Sequence, residues 1–180
     1  MHRWLTGELA VERITVKIRD LPERLKGCRI TQLSDFHYDG VRLSDWLLQA
    51  AIAASNAADP DLVVLTGDYV TDEPEWIHSL VPWLKQLNSK SGVYAVLGNH
   101  DNHRRRSARK ITQALSRAGI RVLANEIAYP FGTDFPLVGL ADYWTPGFKP
   151  APVMEQLDPA LPRIVLAPIL IVLSNCDGGA

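Results

Sequence analysis

The period of the apolar residues changes in a regular way along this chain of 180 residues. "VERITVKI" (residues 11–18) alternates apolar and polar positions and predicts a strand, as does "CRITQL" (residues 28–33). "RLSDWLLQAAIAASNAA" (residues 42–58) carries Leu43, Leu47, Ala50, Ala51 and Ala54 at helical spacing, with Ser44 placed to cap the entry. "LVVLT" (residues 62–66) and "VYAVL" (residues 93–97) are short apolar runs of the kind a strand shows when both its faces are buried. "EPEWIHSLVPWLKQLN" predicts a helix that Pro82 bends or divides. "RKITQALSRAG" predicts a helix stopped at Gly119, and "RVLAN", "PLVGL" and "RIVLA" supply three more strands. The proline-rich stretch at residues 143–162 predicts a surface loop with one helical turn.

Strands alternating with helices define an α/β domain around a largely parallel sheet, and nothing in the pattern divides residues 1–180 into two units. A chain of this length buries roughly 70% of its unfolded surface, enough for one substantial core. Net charge is −1, from 19 basic and 20 acidic residues, so the basic excess of a nucleic-acid binder is missing and no specific nucleic-acid partner is expected. The local run "RRRSARK" (residues 104–110) reads as the solvated start of a helix. Two cysteines, Cys28 and Cys176, make neither a disulfide framework nor a zinc-ligand spacing, which fits a reducing, cytoplasmic setting. "MHRWLTGELAVERITV" lacks the unbroken apolar stretch of a signal peptide, and "IVLAPILIVL" (residues 164–173) falls short of the about 18 apolar residues of a membrane span. A soluble protein is expected, with peripheral membrane contact left open.

Candidate chemistry enters where the apolar runs stop. "ITQLSDFHYDG" ends in Asp35 and His37, "LVVLTGDYV" in Asp68, and "VYAVLGNHD" in Asn99, His100 and Asp101. In open α/β sheets, ligands bind in the crevice beyond the carboxyl ends of the strands, so neighbouring strands would bring these groups to one place. Alternation along a strand puts Asp35 and His37 on one side, where a carboxylate and an imidazole can grip one cation. Asp68 has two oxygens with which to bridge to a second cation, and Asn99 offers that ion a neutral oxygen. Glycines before Asp68 and Asn99 let the backbone turn closely. Mixed oxygen and nitrogen donors suit manganese, iron or zinc. Two such ions about 3.5–4 Å apart can activate a water and clamp a phosphate. His100 is then placed to pass a proton to the leaving oxygen, with Asp101 orienting its ring.

The phrases "SDFH", "LTGDYV" and "LGNHD" resemble the first three motif blocks of calcineurin-like metallophosphoesterases. "GVYAVLGNHD", "IRVLANE" and "PLVGLAD" are similar to the bacterial branch of small, often membrane-associated phosphodiesterases. The resemblance implies a sandwich of two mixed β-sheets flanked by helices, two divalent metal ions, and hydrolysis of phosphodiester or phosphomonoester bonds. Substrates implied by the branch range from generic phosphodiesters to nucleotide-linked lipids. It also implies that Asp35 and His37 bind the first ion, that Asp68 bridges, that Asn99 binds the second, and that His100 is the catalytic imidazole.

The family pattern continues after the strand matched by "RIVLA" with a histidine and then a Gly-His-x-His block. This chain reads "RIVLAPILIVLSNCDGGA", and its histidines are His2, His37, His78, His100 and His103. The expectation is therefore a sandwich incomplete at its C-terminal end, an atypical tail over residues 168–180, and a metal set short of three imidazoles. A frame beginning at the third base of the Pro168 codon permits His-Pro-Asp, so a frame slip in a longer gene is the expected origin of the tail. A chain so furnished is either a weakened enzyme or a non-catalytic remnant that binds a metal or a partner. His103 reads as a surface residue, and His78 as a packing or surface residue. Trp46, Trp76, Trp83 and Trp144 read as core residues rather than as an apolar rim for a lipid.

Overall fold

A computed structural model of the chain describes residues 9–104, 106–168 and 170–174. The N-terminal reading over residues 1–8, with His2, and the tail reading over residues 169 and 175–180, with Cys176, lie outside the described residues.

The first half forms β1 (Ile30–Leu33), α1 (Asp45–Ala57), β2 (Leu62–Leu65), α2 (Ile77–Leu84), β3 (Val93–Ala95), α3 (Asn99–Asn102), α4 (Ser107–Arg117) and β4 (Arg121–Val122). The strands lie in the order β1-β2-β3-β4 and every pairing is parallel, with Thr31 opposite Val63 and Val64 opposite Tyr94. The second half forms β5 (Glu126–Ala128), β6 (Leu137–Gly139), α5 (Pro150–Met154), β7 (Arg163–Ala167) and β8 (Leu170–Ser174). These strands make a second sheet, β5-β6-β7-β8, in which only the β6–β7 pairing is parallel. The expected sandwich of two sheets is what the chain builds, and the mixing of strand directions is confined to the second sheet.

Alternation explains the layers. All four residues of β2 are buried, and they point alternately to two different cores. Val63 and Leu65 meet Leu48 and Ile52 of α1, Ile77, Leu80 and Leu84 of α2, and Ile111 and Leu115 of α4. Leu62 and Val64 face the second sheet, where Leu137, Ile164 and Leu166 close the space between the sheets. Val138 and Val165 turn outward onto Val153 of α5. The result is helix, sheet, sheet, helix.

Several expectations shift. Residues 11–17 form no strand, and Ile14 is 81% exposed. Alternation marks a segment able to join a sheet, but a strand exists only where a neighbour takes its N–H and C=O groups. The buried stripe of α1 runs through Leu48, Ile52 and Ser55, one residue round from the apolar stripe read along the chain. The reason is polar: Ser55 belongs to the buried face because its Oγ shares a hydrogen bond with Thr31 Oγ1 at 2.8 Å. Pro82 is carried inside α2, and the division falls earlier, where a 3-10 turn at Pro74–Trp76 passes into the α-helix. The expected core tryptophans are mostly at the surface: Trp46, Trp76 and Trp144 are exposed, and only Trp83 packs on the core. Other readings hold. Ser44 caps α1 by accepting the Leu47 N–H at 3.2 Å. α4 starts just past the arginine run and ends before Gly119. Among the described residues, no helix is long and apolar enough to cross a membrane.

Candidate metal centre

Parallel pairing of β1, β2 and β3 puts their carboxyl ends side by side, and the segments that leave them stay laced together. The Asp35 N–H donates to Gly67 O at 3.1 Å, the His37 N–H to Asp68 O at 2.9 Å and the Tyr38 N–H to Tyr69 O at 2.9 Å. The loops after β1 and β2 therefore travel as a pair, extending past the strands to the Tyr38–Val70 bridge.

Within this pair the backbone is unusual. Asp35, His37 and Asp68 all have positive φ, at 55°, 41° and 55°. Such conformations are costly for residues with a Cβ and persist where the surroundings enforce them, commonly at functional sites. Strand alternation is thus not what brings Asp35 and His37 together, although the outcome is the same: His37 Nε2 lies 3.7 Å from Asp35 Oδ1 and 3.7 Å from Asp68 Oδ2. Asp68 is fixed from its other oxygen, since Oδ1 accepts the His100 N–H at 3.0 Å. The His37 and His100 rings meet edge to face with centroids 4.7 Å apart. Ligand-capable atoms of His37, Asp68 and His100 all lie within 4.8 Å of one another, and all three residues are half-buried. Two imidazoles and a carboxylate, with the Asp35 carboxylate beside His37, form a donor set that suits a borderline divalent cation such as manganese, iron or zinc.

The glycines before Asp68 and Asn99 act in different ways. Gly67 adopts φ +101°, and a Cβ there would stand 2.4 Å from Gly98 N. Gly98 has ordinary extended backbone at φ −83°; what it gives is room, because a Cβ on it would meet Asp68 Oδ1 at 2.1 Å. Asn99 opens α3 directly after Gly98, at the end of the third strand.

Asp101 does not orient the His100 ring. Its side chain is fully buried and accepts three backbone N–H groups, from Asp68 at 2.8 Å, Gly98 at 2.9 Å and Tyr69 at 2.9 Å. Burial pushes this carboxyl up to about 7, with the Asp68 charge adding to the rise and the amide hydrogen bonds opposing it. The ring of His100 is held instead by Thr71, whose carbonyl lies 2.9 Å from Nδ1. A carbonyl only accepts, so Nδ1 carries the hydrogen and Nε2 keeps the free lone pair. Thr71 is the site residue missed in the sequence, and no signal pointed to it, because the carbonyl it contributes is common to every residue. His103 is exposed, as expected, and of the two roles open to His78 the surface one is observed.

The chain is similar in sequence to several known proteins. Phosphodiesterase YaeI of Escherichia coli (strain K12) is 38% identical over 151 residues, covering 77% of this chain and 52% of that protein. The metallophosphoesterase YkuE of Bacillus subtilis (strain 168) is 35% identical over 91 residues, 49% of this chain and 31% of that protein. UDP-2,3-diacylglucosamine pyrophosphatase LpxG of Chlamydia muridarum is 25% identical over 189 residues, 79% of this chain and 57% of that protein. The chain thus spans about half the length of the first and the last of these relatives, and less of the second. The model of the family described as calcineurin-like phosphoesterase matches residues 28–163, from just before β1 to the first residue of β7, and the chain belongs to that family.

Proposed function

We propose that the chain is a metal-dependent phosphoesterase that hydrolyses phosphodiester or phosphomonoester bonds at the carboxyl ends of β1, β2 and β3. The observation that carries this reading is the meeting of His37, Asp68 and His100 within 4.8 Å on backbone held at positive φ at two of the three. In this reading Asp35, His37 and Asp68 hold one divalent ion, and Asp68 with Asn99 holds a second. When bound, such ions supply an activated water and neutralise charge on the phosphate. The chain's own residues do the rest. The His100 N–H fixes one oxygen of Asp68 and leaves the other facing His37. The Thr71 carbonyl fixes the His100 ring by Nδ1, so Nε2 is the nitrogen free to take up a proton and, in the imidazolium form, to give it to the leaving oxygen.

The substrate class we favour within this reading is a phosphodiester or pyrophosphate attached to an apolar group. Trp46 (61% exposed) follows the segment leaving β1, and Trp76 follows the one leaving β2. These are the strand ends that supply Asp35 and Asp68. The name of the relative LpxG describes a nucleotide-linked, acylated sugar as that protein's substrate, which supports the same direction. Contact with a membrane surface follows from such a substrate.

A chromogenic phosphodiester, bis(p-nitrophenyl) phosphate, with added manganese tests the proposal. Turnover that Asp68→Ala and His100→Ala each reduce by at least about 100-fold is expected. Turnover by the parent chain that both variants retain would rule out this site as its source.

A further inference from the structure

Thr71 makes two contacts that no motif predicts. Its hydroxyl donates to the His37 carbonyl at 3.0 Å, and its own carbonyl takes the His100 Nδ1 hydrogen at 2.9 Å. One residue of the loop after β2 therefore holds the backbone of the segment after β1 and the ring of the segment after β3. The neighbouring contacts run the same way. Val70 bridges to Tyr38, and the His37 N–H donates to Asp68 O at 2.9 Å. The His37 peptide is thus fixed on both sides, its N–H by Asp68 and its carbonyl by Thr71. This matters because His37 sits at φ 41°, a conformation that relaxes unless its surroundings hold it.

We infer that Thr71 is a positioning residue for the metal centre, its hydroxyl keeping His37 in its left-handed conformation and its carbonyl selecting the Nδ1-protonated form of His100. The consequence for metal binding rests on the phosphoesterase reading above, whereas the positioning itself belongs to the metal-free chain. Groups that orient a metal-binding histidine from behind affect affinity by about 10–100-fold when removed. Valine matches threonine in shape and lacks the hydroxyl; serine restores it.

Two measurements on the parent chain, Thr71→Val and Thr71→Ser separate the possibilities. Ring and amide NMR signals of the metal-free proteins report position. In Thr71→Val the His37 amide and ring signals should shift or broaden, while those of Val153 on the far side of the second sheet stay in place. In Thr71→Ser they should return to the parent pattern. Titration with cobalt(II), followed by its visible absorption, reports the consequence: about 10–100-fold weaker binding in Thr71→Val and parental binding in Thr71→Ser. Unchanged His37 and His100 signals in Thr71→Val would overturn the inference whatever cobalt does. Shifted signals together with a parent chain that takes no cobalt would uphold the positioning role and refute the metal centre.

Discussion

Single residues in this chain show chemistry at two levels, one written in residue types and one in geometry. Asp35, His37, Asp68 and His100 are legible in the sequence because three successive apolar runs each end in such groups; any one of them alone would read as an ordinary turn. The parts played by Asp101 and Thr71 were not legible, since each works through the main chain: Asp101 by accepting three N–H groups, Thr71 by lending a carbonyl. Cys28 gives a residue-scale prediction away from the site. Burial, with Asp61 beside it, pushes its thiol from an ordinary 9.0 up to about 11. Alkylation of Cys28 by iodoacetamide, resolved by peptide mass spectrometry, should be slow at pH 8 and accelerate only as the pH approaches 11. The linked effect on stability has a definite sign. In the unfolded chain the thiol ionises near its ordinary value, so from pH 9 to 11 the unfolded state has lost a proton that the folded state keeps. Stability should fall as pH rises through that window.

Among the elements, those with strong periodicity and their own end signals formed where the pattern put them. α1 has Ser44 to receive the Leu47 N–H, and β2 is apolar at every position because cores lie on both its faces. Replacing Ser44 by alanine should lower stability by about 1 kcal/mol in a thermal or urea melt, with helix content otherwise preserved. A loss within error would show that the Leu47 N–H finds water as readily as the hydroxyl. The elements that pattern alone misplaced depend on distant partners. β5 spans Glu126–Ala128, too short to show a period, and it exists through its antiparallel pairing with β6. Residues 11–17 show the reverse, a clear alternation without a strand. Exposed tryptophans are a third case, because their size argues for burial while Trp46 and Trp144 stand at the surface.

For the molecule as a whole, the layered arrangement is what turns local motifs into a site. Packing of Leu62 and Val64 against the second sheet, and of Val63 and Leu65 against the helices, anchors β2 between two cores. β1 and β3 flank it in parallel register, so the loop carrying Asp68 cannot shift without disturbing both. The matched order of motifs foretold this family and this two-sheet fold, whereas the layering itself rests on contacts between residues far apart in the chain. The central claim is that groups from three strand ends hold cations together. Elemental analysis of the purified 180-residue chain, after exposure to manganese and removal of free ions, tests it most directly. At least one tightly held divalent ion per chain is predicted, lost in an Asp68→Ala variant that remains folded by circular dichroism. A parent chain that comes through metal-free, or a folded Asp68→Ala variant that keeps the same ion content, would contradict it.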